Sequence, residues 1–140
     1  MTLTPSDEDY RRLLELRTGL RRFLRWSEQQ AEAAGVTPAQ HQLLLAIRGH
    51  PDERGPTIGD AAGYLLLRHH SVVGLVDRAE NAGLIERVPD ADNRSIVRLR
   101  LTPQGTAQLE MLSELHITEL THLAPTMHAL WAALEDSDTV

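Results

Sequence analysis

Leu13, Leu16, Leu20, Phe23, Leu24 and the small Ser27 recur at intervals of three and four, which predicts an amphipathic helix from about residue 7 to 34. Ser6 and Asp9 have the spacing of a capping box, and Gly35 supplies a stop. Thr37-Pro38 is a second start signal, for a helix to about Arg48 with Leu43, Leu44 and Ile47 inward. Gly49, Pro51, Gly55 and Pro56 then mark a loop. Thr57 opens a short helix to about Leu65, burying Ile58, Ala61, Ala62 and Leu65. After a turn at Leu66–Arg68, Val72, Leu75, Val76 and Ala79 form the core stripe of a helix from His69 to Asn81, ended by Gly83.

Beyond Gly83 the period changes from helical to alternating. Leu84–Val88 reads as a strand, residues 89–94 as a hairpin tip, and Ile96–Leu101 as the return strand, with Val97, Leu99 and Leu101 on its core face. Thr102-Pro103 repeats the cap-plus-proline signal and opens a helix with Leu109, Leu112, Leu115, Ile117, Leu120 and Leu123. Pro125 is expected to break that helix, and Leu130, Trp131 and Leu134 to continue in a last one. The expected fold is mainly α with a small β-hairpin wing, a winged helix-turn-helix, in one domain over 1–140. Residues 36–102 form its core, and helices over 6–34 and 103–136 flank it.

Composition adds limits. Apolar content of 41% and charged content of 24% are those of a soluble globular protein. No apolar run approaches the ~20 residues of a membrane span, so the expected location is the cytoplasm, with no membrane partner. There is no cysteine, which excludes disulfides and thiolate metal sites. The net charge of −6 is unevenly placed: residues 1–35 hold six Arg and six acids, 36–102 eight of each, and 103–140 six acids and no Arg. A neutral middle with clustered Arg and His is compatible with phosphate binding.

The leading turn of the fourth helix offers Arg68, His69, His70 and Ser71, with Gly74 and Arg78 following on the same side. Short polar donors there suit base edges and phosphates, and Gly74 lets a nucleic-acid backbone approach. The bland alternative is a solvated helix start. Arg94 at the hairpin tip fits a narrow minor groove, with Asp92 spaced to pair with it; Arg98, and more weakly Arg100, lie on the wing's solvent face. Thr57, heading the third helix, completes the expected DNA-binding set. No catalytic constellation stands out, so no enzyme activity and no cofactor are expected. His116, His122 and His128 are spaced by six, on different helix faces, and no metal site is expected.

Four runs, T-P-A-Q-H-Q-L-L-L-A-I, T-I-G-D-A-A-G-Y-L, S-V-V-G-L-V-D-R-A-E-N-A-G-L-I and D-A-D-N-R-S-I-V-R-L-R-L-T-P-Q-G, resemble the MarR family of bacterial transcriptional regulators. The resemblance covers about residues 10–135. It implies a homodimeric, sequence-specific DNA-binding regulator whose terminal helices interlock, with His69–Arg78 as recognition helix. It also implies an Asp92-Asn93-Arg94 wing tip and a Thr102-to-Gly105 helix opening. Repression on a pseudo-palindromic double-stranded operator, relieved by a small aromatic or phenolic ligand, would follow. Phe23, Trp26, His41, Met111 and Leu115 are the expected pocket residues. Two departures are Ser95, where many members carry a second Arg, and the His69-His70 pair, where Ser or Thr is common. The alternatives are a metal-responsive regulator and a winged-helix protein-interaction module without DNA binding.

Overall fold

The computed structural model describes residues 4–137. Five helices and one hairpin follow in the order α1 (Asp7–Ala33), α2 (Pro38–Gly49), α3 (Ile58–Leu65), α4 (His69–Asn81), β1 (Ile85–Pro89), β2 (Val97–Leu101) and α5 (Pro103–Ser137). Three helix starts are fixed by reciprocal capping, which satisfies amides that no helical carbonyl can reach. The Asp9 N–H donates to Ser6 Oγ at 3.2 Å and the Ser6 N–H to Asp9 Oδ2 at 2.9 Å. Thr37 and Gln40 do the same for α2, and Thr57 and Asp60 for α3.

Contacts among the Cα atoms divide the chain into two compact units, Ala31–Ser113 and Met1–Gln30 with Glu114–Val140. The apolar side chains buried among the described residues run from Ala31 to Leu112, all in the first. There Leu43, Leu44, Val72, Val76, Ile85 and Leu99 form one cluster. The hairpin is antiparallel, pairing Ile85 with Leu101 and Pro89 with Val97. The loop after α2 lies along β2: the Leu99 N–H donates to the Pro56 carbonyl at 2.9 Å, and Thr57 bridges Arg98. That approach requires Gly55, at φ +89, because a Cβ there would stand 2.2 Å from the Leu99 carbonyl oxygen. Between α3 and α4 the chain turns through Leu66, a non-glycine residue at φ 54 and 90% exposed.

The second unit buries little. Leu13, Leu20 and Leu24 of α1 and Ile117, Leu120 and Trp131 of α5 all remain exposed. The expected break at Pro125 does not occur, since α5 runs through it. The missing N–H removes one helical bond, and the helix is held on both sides of the gap: Leu123 before it, and Met127 and Leu130 after it, line one groove with Leu14, Gly19 and Phe23 of α1. Both strands begin one residue later than the apolar pattern suggested.

Candidate nucleic-acid interface

Unlike α1, α2 and α3, α4 starts without a side-chain cap; Arg68 stands at its N-cap in extended conformation and makes no capping hydrogen bond. The helix therefore presents its partial positive end at a turn where Arg68, His69, His70 and Ser71 are all exposed. None of these four side chains has a hydrogen-bond or ion-pair partner among the described residues. Two imidazoles, a hydroxyl and a guanidinium are thus exposed at the positive end of α4, a setting that favours anions. Arg78 is exposed one helical turn beyond Gly74, and a Cβ on Gly74 would lie 3.3 Å from Arg78 Nη1. Gly74 makes room for the Arg78 side chain, a role the sequence pattern did not suggest.

The eight arginines of the Ala31–Ser113 unit fall into two sets. Arg54, Arg87 and Arg98 are tied down. Arg87 Nη1 bonds Glu80 Oε1 at 2.7 Å and Nη2 bonds Asp77 Oδ1 at 2.5 Å, joining α4 to β1. Arg98 Nε donates to Asp90 Oδ1 at 3.0 Å, and its Nη1 to the Gly55 carbonyl at 3.3 Å. Arg54 Nη2 bonds Asp52 Oδ2 at 2.8 Å, while its Nη1 reaches Asp90 at 3.4 Å and Asp92 at 3.7 Å. Arg48, Arg68, Arg78, Arg94 and Arg100 are exposed and unpaired among the described residues.

Two expectations for the wing change. Asp92 faces Arg54 and not Arg94, because the residue that organises the tip is Asp90. Its carboxylate is buried and accepts the Asp92 and Asn93 N–H groups at 3.2 and 3.1 Å as well as Arg98. Arg98, expected on the solvent face, is therefore a brace within the wing. Arg94 projects from the tip with no partner among the described residues, held by the turn and not by a salt bridge. Ser95 closes that turn by donating its N–H and Oγ–H to Asn93 Oδ1, at 3.1 and 2.6 Å. Asp90 was legible only as an Asp leading a turn, a position where its carboxylate can accept amides two and three residues on. Thr57 is the N-cap of α3, with its hydroxyl committed to the Asp60 amide.

Burial disfavours the Asp90 carboxylate, but Arg98 and the Asn93 and Asp92 amides outweigh it and hold its pKa below the usual range. Such a group stabilises the fold fully above its unfolded pKa, and that contribution is lost as pH falls through the lowered folded value. Stability should therefore decline on acidification below about pH 4. Asp52, held by Arg54, and Asp60, held by the Thr57 amide, are lowered too and act in the same direction. Asp90→Asn is expected to lower the melting temperature at pH 7 and to flatten the acid decline without abolishing it. Thermal melts from pH 3 to 7 check this; an unchanged acid slope contradicts it.

Of the expected pocket residues, Phe23 and Trp26 stack at 6.0 Å and gather around His116, whose ring lies 4.9 Å from Trp26 and whose Nε2 is 2.6 Å from the buried Ser27 Oγ. Phe23 also lines the 610 Å³ groove between α1 and α5. Leu115 is half exposed in the same unit; His41 is buried, and Met111 half exposed, in the Ala31–Ser113 unit. The sequence pattern gave no sign of His116 as a ring partner, since its six-residue spacing from His122 says nothing about the aromatic rings of α1. Among the described residues no three His, Asp or Glu side chains gather as a cation site, and no helix is long and apolar enough to cross a membrane.

Residues 34–94 match the MarR family. The chain is 31% identical over 83 residues to the transcriptional activatory protein BadR of Rhodopseudomonas palustris, covering 59% of this chain and 47% of that protein. It is 28% identical over 82 residues to the transcriptional repressor MdtR of Bacillus subtilis, covering 59% and 51%. The chain thus spans about half the length of these curated relatives. Among solved structures, a point mutant of Staphylococcus aureus MepR bound to an oligodeoxyribonucleotide superposes with a TM-score of 0.67 at 21% identity, over 86% of this chain and 93% of that one. That likeness shows a winged-helix fold.

Proposed function

On the match of residues 34–94 to the MarR family, we propose that this chain belongs to that family and regulates transcription by binding a pseudo-palindromic duplex as a homodimer. The observation that carries the reading is the division of the arginines. Arg54, Arg87 and Arg98, which brace the wing, are paired, while Arg68, Arg78 and Arg94, on α4 and the wing tip, are exposed and unpaired among the described residues, and α4 starts without a side-chain cap. An unpaired guanidinium costs side-chain entropy to order and gains little in water, so its benefit comes on meeting phosphate or a base edge. In this reading α4 enters the major groove with His69, His70 and Ser71 leading, and Arg94 reaches the flanking minor groove.

The exposed leucines of α1 and the exposed Ile117, Leu120 and Trp131 of α5 support the homodimer, since a second copy would remove that apolar surface from water. A two-fold dimer would set the two copies of α4 about one helical turn, roughly 34 Å, apart. Relatives named as an activator and as a repressor show that both outcomes occur around this fold. Repression is the simpler consequence of occupying DNA. Release follows if a ligand, aromatic or phenolic in class, favours a spacing of the two heads that no longer fits the operator.

Selection from a pool of random duplexes tests the reading. A defined two-fold-related sequence should be enriched, and the His70→Ala chain should enrich a profile altered at one position in each half. A pool that remains random after selection contradicts the proposed function. An identical profile removes His70 from base readout.

A further inference from the structure

We propose that Leu66, on the turn between α3 and α4, is a specificity residue that reads the C5 methyl group of a thymine in the major groove. That role rests on the DNA-binding reading and adds an apolar contact to its polar ones. Among the described residues Leu66 is the one non-glycine residue at positive φ, at 54. It is also the most exposed large apolar side chain among them, at 90% against 65% for Ile117. Each feature disfavours leucine. The left-handed conformation brings Cβ against the following carbonyl oxygen, and an isobutyl group left in water gains nothing from burial. Glycine would avoid both costs. The turn is pinned in this shape, because the Leu66 and Leu67 N–H groups both donate to the Ala62 carbonyl, the second at 3.2 Å. The free fold thus draws no stability from this side chain. A strained and exposed position of this kind points to a contact made outside the fold.

Its place in the chain names the contact. Leu66 stands two residues before Arg68, the N-cap of α4, so their Cα atoms lie within about 8 Å of each other. Arg68, His69, His70 and Ser71 on the leading turn all end in polar groups and suit the donors and acceptors of base edges. The major groove also presents an apolar group, the thymine C5 methyl, which none of those four can read by hydrogen bonding. Leu67, one residue closer, is more than half covered, which leaves Leu66 as the projecting aliphatic group. A protein partner is the rival occupant. Leu45, Tyr64 and Leu65 do line an apolar hollow of 230 Å³ between α2 and α3, but Leu66 is not part of it. The leucine stands beside the positive end of α4 and not at the edge of a docking groove.

The duplex enriched by the parent chain supplies the probe, with each thymine replaced in turn by deoxyuridine. That change removes the C5 methyl and leaves every hydrogen-bonding group of the base in place. At one thymine in each half, it should weaken parent binding about fourfold in anisotropy titrations. Leu66→Gly and Leu66→Asn are both compatible with the left-handed turn. Each should bind the thymine duplex about fourfold more weakly per half and lose the response to deoxyuridine there. The glycine variant should also melt about 2–4 °C higher, a gain that removal of a packed side chain would not give. Variants that bind as tightly as the parent overturn the contact and favour a protein partner instead. Parent binding indifferent to deoxyuridine at every thymine overturns it too. A loss in the variants that is equal on thymine and deoxyuridine duplexes places Leu66 on the sugar-phosphate backbone, and a lower melting temperature for Leu66→Gly makes it a packing residue; either result overturns the methyl contact. In all these cases the parent still binds duplex, and the DNA-binding reading stands. A parent chain that enriches no duplex overturns both.

Discussion

Arg94→Ala is expected to weaken duplex binding about tenfold for each wing engaged while leaving the melting temperature unchanged. The two halves of that expectation have separate origins. Arg94 is exposed and makes no hydrogen bond or ion pair among the described residues, so its removal leaves no group unsatisfied in the free protein. Against DNA the same freedom becomes a gain, because the tip is already ordered by Asp90, and the guanidinium meets the groove without first reorganising the turn. Arg98→Ala is the contrasting variant. It removes the brace from a buried carboxylate and should lower the melting temperature, with any loss of affinity following from a disordered wing. Thermal melts and anisotropy titrations on both variants separate the roles. Equal stability losses for the two would contradict the assignment of one to the groove and the other to the fold.

Gly105→Ala is expected to destabilise the fold by about 2–3 kcal/mol, with duplex binding lost only as the fold is lost. A Cβ at that position would stand 1.9 Å from the Leu84 carbonyl oxygen, a backbone atom that cannot swing aside. The same carbonyl accepts the Thr102 N–H at 3.1 Å, and Thr102 Oγ1 donates to the Gly83 carbonyl at 2.6 Å while accepting the Gly105 N–H at 3.0 Å. Any shift that relieves the clash therefore strains the joint between α4, the hairpin and α5. Urea unfolding checks the magnitude. A variant as stable as the parent would show that the start of α5 can move away from β1 at little cost.

These two residues show how much the sequence could convey. Thr102-Pro103-Gln104-Gly105 stands out as a helix opening from its cap and proline, and α4 falls at His69–Asn81 as its apolar spacing predicts. Capping, turn glycines and apolar period are local, so the chain order reveals them. Pairing across space is not local. Asp92 sits nearer Arg94 in sequence than Arg54 does, yet it faces Arg54, because the 50–57 loop packs along β2 and brings that guanidinium to the tip. Arg98 alternates outward by strand parity, but the same loop covers it. Pro125 should end a helix on local grounds, and contacts along a groove with α1 carry α5 through it. The candidate site was legible where it consists of exposed, unpaired groups and was misread where arginines are engaged by neighbours remote in sequence.

The central claim is that the unpaired cations of α4 and the wing tip meet nucleic-acid phosphate and base edges. Anisotropy of the full chain with a labelled duplex, titrated across a series of salt concentrations, tests it most directly. Saturable binding is expected, its log affinity falling linearly with log salt at about 0.9 per phosphate neutralised, with a shallower slope for Arg68→Ala. No binding at low salt, or an affinity indifferent to salt, would contradict it.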